Sequence, residues 1–68
     1  VLIMNYDRSI EGVFSNEGYE VTVLIKDAAL VEFTYMHNGN PMTSTWVAHD
    51  TAATLVDNLI AEGYIRYG

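Results

Sequence analysis

Alternating apolar and polar residues predict two β-strands in the middle of the chain, at 19–26 and 30–37. A period of two with many β-branched residues is typical of strands that are buried on one face. The apolar face of the pair is predicted to carry Tyr19, Val21, Val23, Ile25, Val31, Phe33, Tyr35 and His37. The opposite face is predicted to carry Glu20, Thr22, Leu24, Lys26, Leu30, Glu32, Thr34 and Met36.

The loop between these strands agrees with their pattern. A three-residue loop at 27–29 places Ile25 opposite Val31 and brings the two apolar faces together. A two-residue loop would mix the faces, because a shift of one residue turns every side chain of a strand over. The sequence therefore predicts an antiparallel hairpin with a defined register.

A further hairpin is predicted at Asn38-Gly39, because both residues accept a positive φ and favour a tight turn. The strand that follows is predicted at 42–47. Its apolar face should then carry Met42, Ser44 and Trp46, and its other face Thr43, Thr45 and Val47.

Upstream, residues 15–18 are typical of a turn, with Gly18 in the left-handed position. That turn predicts a strand at 10–15, with Phe14 opposite Tyr19. The opening segment 1–5 is apolar on both sides and is predicted to be another strand, with a turn at 6–9.

From Asp50 the spacing of apolar residues changes to that of an amphipathic helix, predicted over 51–62. Asp50 is a preferred N-cap residue, and Gly63 stands where helices commonly end. The helix is expected to lie on the apolar sheet face, over Trp46 among others. Its stripe consists of Ala52, Leu55, Val56, Leu59 and Ile60.

These elements predict an α+β fold in two layers, with residues 1–68 as a single domain. An antiparallel β-meander of four to five strands is followed by one C-terminal helix on one sheet face. Residues 64–67 would form a short tail or an edge strand. One helix cannot cover both sides of the sheet, so the other face is expected to remain uncovered.

Composition narrows the classes of partner. The 68 residues include no cysteine, so neither disulfides nor a cysteine-based zinc site can support this small core. A homodimer is therefore a reasonable expectation.

Three basic residues against nine acidic ones give a net charge of −6, which disfavours direct binding to nucleic acid or to an anionic membrane. We expect instead a protein partner with a basic surface. We expect a cytoplasmic location for this chain.

Two histidines and an aspartate are the candidates for chemistry. His49 beside Asp50 resembles a base with its orienting carboxylate, but no nucleophile motif accompanies the pair. His37, His49 and Asp50 together would be a metal site, although their separations match no standard ligand motif. A helix cap explains Asp50 more simply, so we expect neither catalysis, nor a metal, nor a cofactor.

The sequence therefore predicts a non-enzymatic protein-interaction module that uses the uncovered sheet face and its acidic residues. Small acidic domains without cysteines occur among phage-encoded inhibitors of host machinery, anti-CRISPR proteins included, and this chain is similar to them in size and charge alone. A homo-oligomeric assembly subunit and a small metal- or ligand-binding domain are the alternatives. The residues predicted to bind the partner are Glu11, Glu20, Thr22, Leu24, Glu32, Thr34, Met36, Thr43 and Thr45.

Overall fold

A computed structural model describes residues 10–68 and contains one antiparallel sheet with one helix after its first four strands. The strands follow one another as a meander, and the last one joins the far edge, in the order β4-β3-β2-β1-β5. The predicted α+β arrangement is confirmed. The strand predicted at 1–5 and the turn at 6–9 lie outside the described residues. The elements are β1 (Gly12–Asn16), β2 (Tyr19–Ile25), β3 (Leu30–His37), β4 (Asn40–Ala48), α1 (His49–Ala61) and β5 (Ile65–Arg66).

The β2–β3 hairpin has the register that its sequence predicts, with Ile25 opposite Val31 and Val23 opposite Phe33. Asp27 orders the connecting loop. Its Oδ1 accepts hydrogen bonds from the backbone amides of Ala29, at 2.7 Å, and Leu30, at 2.9 Å. A short aspartate side chain stabilises a turn in this way by replacing a backbone acceptor.

The β1–β2 register differs from its prediction by two residues. The turn is the two-residue pair Glu17-Gly18, whose φ angles are 50° and 87°. It places Phe14 opposite Val21 rather than Tyr19. The predicted face of Phe14 is nevertheless right, because an even shift leaves every side chain on the same side of the sheet.

The predicted faces of β4 are wrong. The Asn38-Gly39 turn is present, with φ angles of 51° and 82°, but a β-bulge interrupts the β3–β4 ladder just beyond it. Met36 pairs with Pro41 and Tyr35 pairs with Thr43, so Met42 is the extra residue. This one-residue shift places Thr43, Thr45 and Val47 on the helix side and Ser44 and Trp46 on the opposite side.

The helix begins earlier than predicted and without the predicted cap. It starts at His49, its N-cap is Ala48, and no side chain caps it. β4 runs directly into the helix, so Asp50 falls inside the first turn. There its Oδ1 accepts a 2.8 Å hydrogen bond from the amide of Thr51. Its charge still lies at the positive end of the helix dipole.

The helix ends as the sequence predicts, at a glycine with a positive φ. Gly63 has φ +102°, and its amide donates to the carbonyl of Ile60 at 3.1 Å. The amide of Tyr64 donates to the carbonyl of Leu59 at 3.0 Å. This pair of bonds is a Schellman motif, which satisfies the last carbonyls and turns the chain back toward the sheet.

The core lies between α1 and one face of the sheet. Helix α1 starts beside the β2–β3 loop, where His49 Nε2 donates to the Asp27 carbonyl at 2.9 Å. It ends beside β1, where Asn16 Nδ2 donates to the Glu62 carbonyl at 3.3 Å. The helix therefore crosses the sheet diagonally and leaves uncovered the corner formed by the β3–β4 turn. The buried residues of the core are Ile10, Phe14, Val21, Val23, Val31, Phe33, Ala52 and Val56.

Candidate functional site

The sheet face away from the helix, called the open face below, carries a cluster of paired side chains around Glu32. The Glu32 carboxylate accepts a hydrogen bond from Trp46 Nε1 at 2.9 Å and one from Ser44 Oγ at 3.5 Å. Lys26 Nζ lies 3.8 Å from its other oxygen and 6.0 Å from the centre of the Trp46 ring. Glu32 thus holds a large aromatic ring and a cation in place at the surface. The open face includes Glu20, Thr22, Leu24, Glu32, Thr34, Met36, Ser44 and Trp46, with Ile65 and Tyr67 at its β5 edge.

The β-bulge is what brings Trp46 to this cluster. If Met42 paired with Tyr35 in a regular ladder, the β3–β4 turn would pair Glu32 with Thr45 and turn Trp46 toward the helix. With it, Trp46 is directly opposite Glu32 and remains 56% exposed. The hydrogen bond to Glu32 restricts the orientation of this exposed indole.

A second pairing of an aromatic residue with a carboxylate lies toward the other edge of the open face. The Tyr67 hydroxyl donates a hydrogen bond to Glu20 Oε2. This bond raises the pKa of the Tyr67 hydroxyl above its ordinary value, because it stabilises the protonated form. The Tyr67 ring remains 60% exposed. It is held there because β5 pairs with β1 and the Tyr67 amide donates to the Val13 carbonyl at 2.9 Å.

Exposed apolar side chains accompany the two aromatic rings. Leu24 is 46% exposed and Ile65 is 71% exposed. Protein interfaces are enriched in tryptophan and tyrosine near their centres and are surrounded by polar groups. The open face has this composition, with aromatic and aliphatic groups among threonine, serine and glutamate.

The structure places most of the predicted partner-binding residues on the open face, but not all. Thr43 and Thr45 are corrected to the helix side, because the bulge turns that part of β4 over. Glu11 precedes β1, and its carboxylate accepts a 3.0 Å hydrogen bond from the Ile25 amide at the end of β2. The six that do share the open face are Glu20, Thr22, Leu24, Glu32, Thr34 and Met36.

The three residues considered for a metal site or for catalysis are not brought together. His37 closes the β3–β4 turn, whereas His49 follows the far end of the same hairpin. The two ends of β3, Leu30 and His37, are seven residue-to-residue steps apart. At about 3.3 Å per step, this distance is roughly 23 Å. His37 stacks on Tyr19 with ring centres 4.1 Å apart. Within residues 10–68, no group of three or more histidine, cysteine, aspartate and glutamate side chains is arranged to hold a metal ion.

The corner that the helix leaves uncovered forms a small groove. Its volume is about 170 Å³. Burial raises the pKa of Tyr35 and of Tyr64, and the neighbouring Tyr64 raises that of Tyr35 further. This environment disfavours added negative charge and suits an apolar group of side-chain size. The groove is lined by Tyr19, Glu20, Val21, Tyr35, Met36, Met42, Thr43 and Tyr64.

Four of the open-face residues named above were absent from the predicted partner-binding set: Trp46, Ser44, Ile65 and Tyr67. Trp46 and Ser44 were missed because no local signal in the sequence marks a bulge at Met42. The tail of the chain carried a usable signal. Tyr67 follows the helix-ending Gly63 by four residues, so a short tail that returns to the sheet would leave its ring at the surface.

Comparison with known proteins adds no family or relative. No family model, curated protein or solved structure matches the chain. Among residues 10–68, no helix is long and apolar enough to cross a membrane.

Proposed function

We propose that this chain is a non-enzymatic protein-interaction module that binds a basic partner protein through its open face. The observation that supports this proposal is the pairing of two exposed aromatic rings of the open face with carboxylates of that face. Trp46 is held by Glu32, and Tyr67 is held by Glu20.

These pairings favour binding for an entropic reason. Ordering a mobile side chain at an interface costs about 0.5–1.5 kcal/mol. The hydrogen bonds to Glu32 and Glu20 restrict Trp46 and Tyr67 in the free chain, so part of that cost is met during folding. Large rigid rings of this kind carry a large share of the energy in many interfaces.

The carboxylates supply the preference for a basic partner. Each of Glu20 and Glu32 uses part of its acceptor capacity on its aromatic neighbour and retains lone pairs toward solvent. Arginine binds such carboxylates with two parallel hydrogen bonds. The net charge of −6 would speed the approach of a basic partner and would repel phosphate backbones and anionic lipids.

A more specific role follows from size and charge alone. We propose a cytoplasmic inhibitor that blocks a basic surface of another protein, as phage-encoded inhibitors of host machinery do. Blocking such a surface needs tight binding and no chemistry.

Affinity capture from the native host, followed by titration of the purified partner, tests the proposal. Glu20→Lys and Trp46→Ala should each weaken binding by at least about tenfold, or roughly 1.4 kcal/mol. Asp57→Lys on the exposed side of α1 is the control, because it changes the net charge as much as Glu20→Lys does. Added salt should also weaken binding of the wild-type chain.

Two outcomes would contradict the proposal. Equal losses for Asp57→Lys and Glu20→Lys would mean that overall charge, and not the open face, governs binding. Unchanged affinity in Glu20→Lys and Trp46→Ala would mean that the partner docks on another surface. Circular dichroism of each variant confirms that the fold is intact.

A further inference from the structure

Within residues 10–68, no strand pairs with the outer edge of β4, which is a second exposed surface of the fold. β4 is the terminal strand of the described sheet and, with nine residues, the longest of its strands. Along such an edge, alternate amides and carbonyls point away from the neighbouring strand. They form a template on which another strand can pair.

Both faces of β4 are also exposed. Every residue from Asn40 to Trp46 is exposed, and Val47 is the one residue of the strand that is half-buried. This exposure of β4 results from the diagonal course of α1. The helix starts at the end of β4 and runs across the sheet toward β1.

Proteins usually protect an edge of this length with charge, with proline or with a bulge. β4 has Pro41 and the bulge at Met42, but both lie in its first half. Thr43–Ala48 contains no proline, no glycine and no charged residue. These six residues are therefore left open to pairing.

We propose that β4 pairs antiparallel with β4 of a second copy of this chain and joins the two sheets. Antiparallel pairing of identical strands is consistent with a twofold axis, the usual symmetry of homodimers. With the axis at Thr45, Thr45 would lie opposite Thr45 of the second copy, and a threonine pair across strands is favourable.

The lack of charge along this edge allows a second copy to pair there despite its acidity. The net charge of −6 resides entirely outside β4, since Asn40–Ala48 carries no charged side chain. Self-pairing therefore brings no like charges directly opposite one another within the strand. Repulsion between the two acidic copies acts at longer range and should be screened by salt.

The joined sheets would leave both open faces accessible. Pairing uses the edge groups of β4, while Trp46 and Glu32 project from the face. The dimer therefore does not depend on the proposed binding of a basic partner. If both hold, one assembly presents two copies of the binding surface and gains avidity for a repeated partner.

Sedimentation velocity over micromolar to millimolar concentrations, at low and high salt, tests the association. Amide hydrogen exchange at the same concentrations locates it. We expect a dimer that dissociates on dilution and is strengthened by salt. Amides of Thr43–Ala48 should exchange more slowly as the concentration rises.

A matched pair of variants makes the test specific. Thr45→Lys places a charge in the middle of the pairing segment and should raise the dissociation constant by about fivefold or more. Thr54→Lys makes the same chemical change on the exposed side of α1 and should leave dimerisation unchanged.

Three results would overturn the proposal. A monomer at millimolar concentration excludes the dimer. A dimer in which β4 amides exchange at the same rate as in the monomer must use another surface. Protection of β4 that does not depend on concentration would place its pairing strand within the same copy.

Discussion

The indole Nε1 of Trp46 donates a 2.9 Å hydrogen bond to Oε2 of Glu32, the residue directly opposite on the neighbouring strand. Both side chains therefore lie on the open face, away from the helix. The β-bulge at Met42 sets this relationship. A regular ladder of the same residues would have turned the indole toward the helix side of the sheet.

Deletion of Met42 tests how the bulge sets the faces. The deletion joins Pro41 to Thr43 and allows a regular ladder in which Tyr35 still opposes Thr43. Trp46 should therefore remain opposite Glu32, and the free energy of unfolding should change by less than about 1 kcal/mol. Urea unfolding followed by tryptophan fluorescence measures both properties.

The opposite change gives the control. Insertion of one alanine after Thr43 would turn Thr45 and Val47 to the open face or force a second bulge. We expect it to destabilise the fold more than the deletion does. A blue-shifted, buried Trp46 in the deletion variant would contradict the assigned register.

Phe33 is the centre of the core and should be the residue least tolerant of truncation. Its side chain is 0% exposed. Phe33→Ala should cost about 3–5 kcal/mol through lost burial and the cavity that remains. A domain of 68 residues has a total stability of roughly 3–10 kcal/mol, so this loss is at least about a third of the total.

Thr34→Ala, one residue along the same strand, is the control for Phe33→Ala. Thr34 lies on the open face, where its Oγ1 is 3.4 Å from Ser44 Oγ. Its truncation should cost less than about 1 kcal/mol. Similar midpoints for the two variants in urea would be incompatible with a core on the helix side.

A side chain at Gly63 should destabilise the C-terminal end of the helix. Its φ of +102° strains any residue with a Cβ, although a Cβ there would meet Asn16 Nδ2 at an ordinary 3.7 Å. Gly63→Ala should therefore cost about 1–2 kcal/mol through backbone strain alone. Gly63→Asn should cost less, since asparagine enters the left-handed region more readily. Equal melting temperatures for the wild type and Gly63→Ala would refute the Schellman assignment.

Alkaline pH should destabilise the fold through two tyrosines of the groove. Burial raises the folded-state pKa of Tyr35 and of Tyr64 above the ordinary value of 10.0. The folded chain then binds protons that the unfolded chain has released. Stability from these groups is fully present below pH 10 and is lost as pH rises through the folded-state pKa values.

Thermal melts across the alkaline range measure this loss. The double variant Tyr35→Phe with Tyr64→Phe removes both hydroxyls and should show a shallower decline in melting temperature above pH 10 than the wild type. Parallel declines in the two proteins would assign the alkaline loss to other groups.

Residue pattern alone predicted the β2–β3 hairpin because two independent signals agreed there. The alternation fixes the faces of each strand, and the loop at 27–29 has the one parity that aligns them. The helix and its end at Gly63 were predicted for a similar reason, since the apolar stripe and the glycine point to the same boundary.

The β4 faces could not be predicted because the strand is ambiguous. Its apolar residues occupy both parities, with Met42 and Trp46 on one and Val47 on the other. A one-residue bulge decides between them, and no local residue pattern marks its position. The full set of open-face residues could not be predicted for the same reason, because Trp46 lies on that face only through the bulge.

Solvent exposure of Trp46, free and in complex, is the most direct test of an open face that binds a partner. The chain contains a single tryptophan, so fluorine-labelled tryptophan gives one resonance from this site. A soluble paramagnetic reagent should broaden that resonance strongly in the free chain and weakly once the captured partner is bound. A resonance that is already protected in the free chain, or equally broadened in the complex, would contradict the open face as the binding surface.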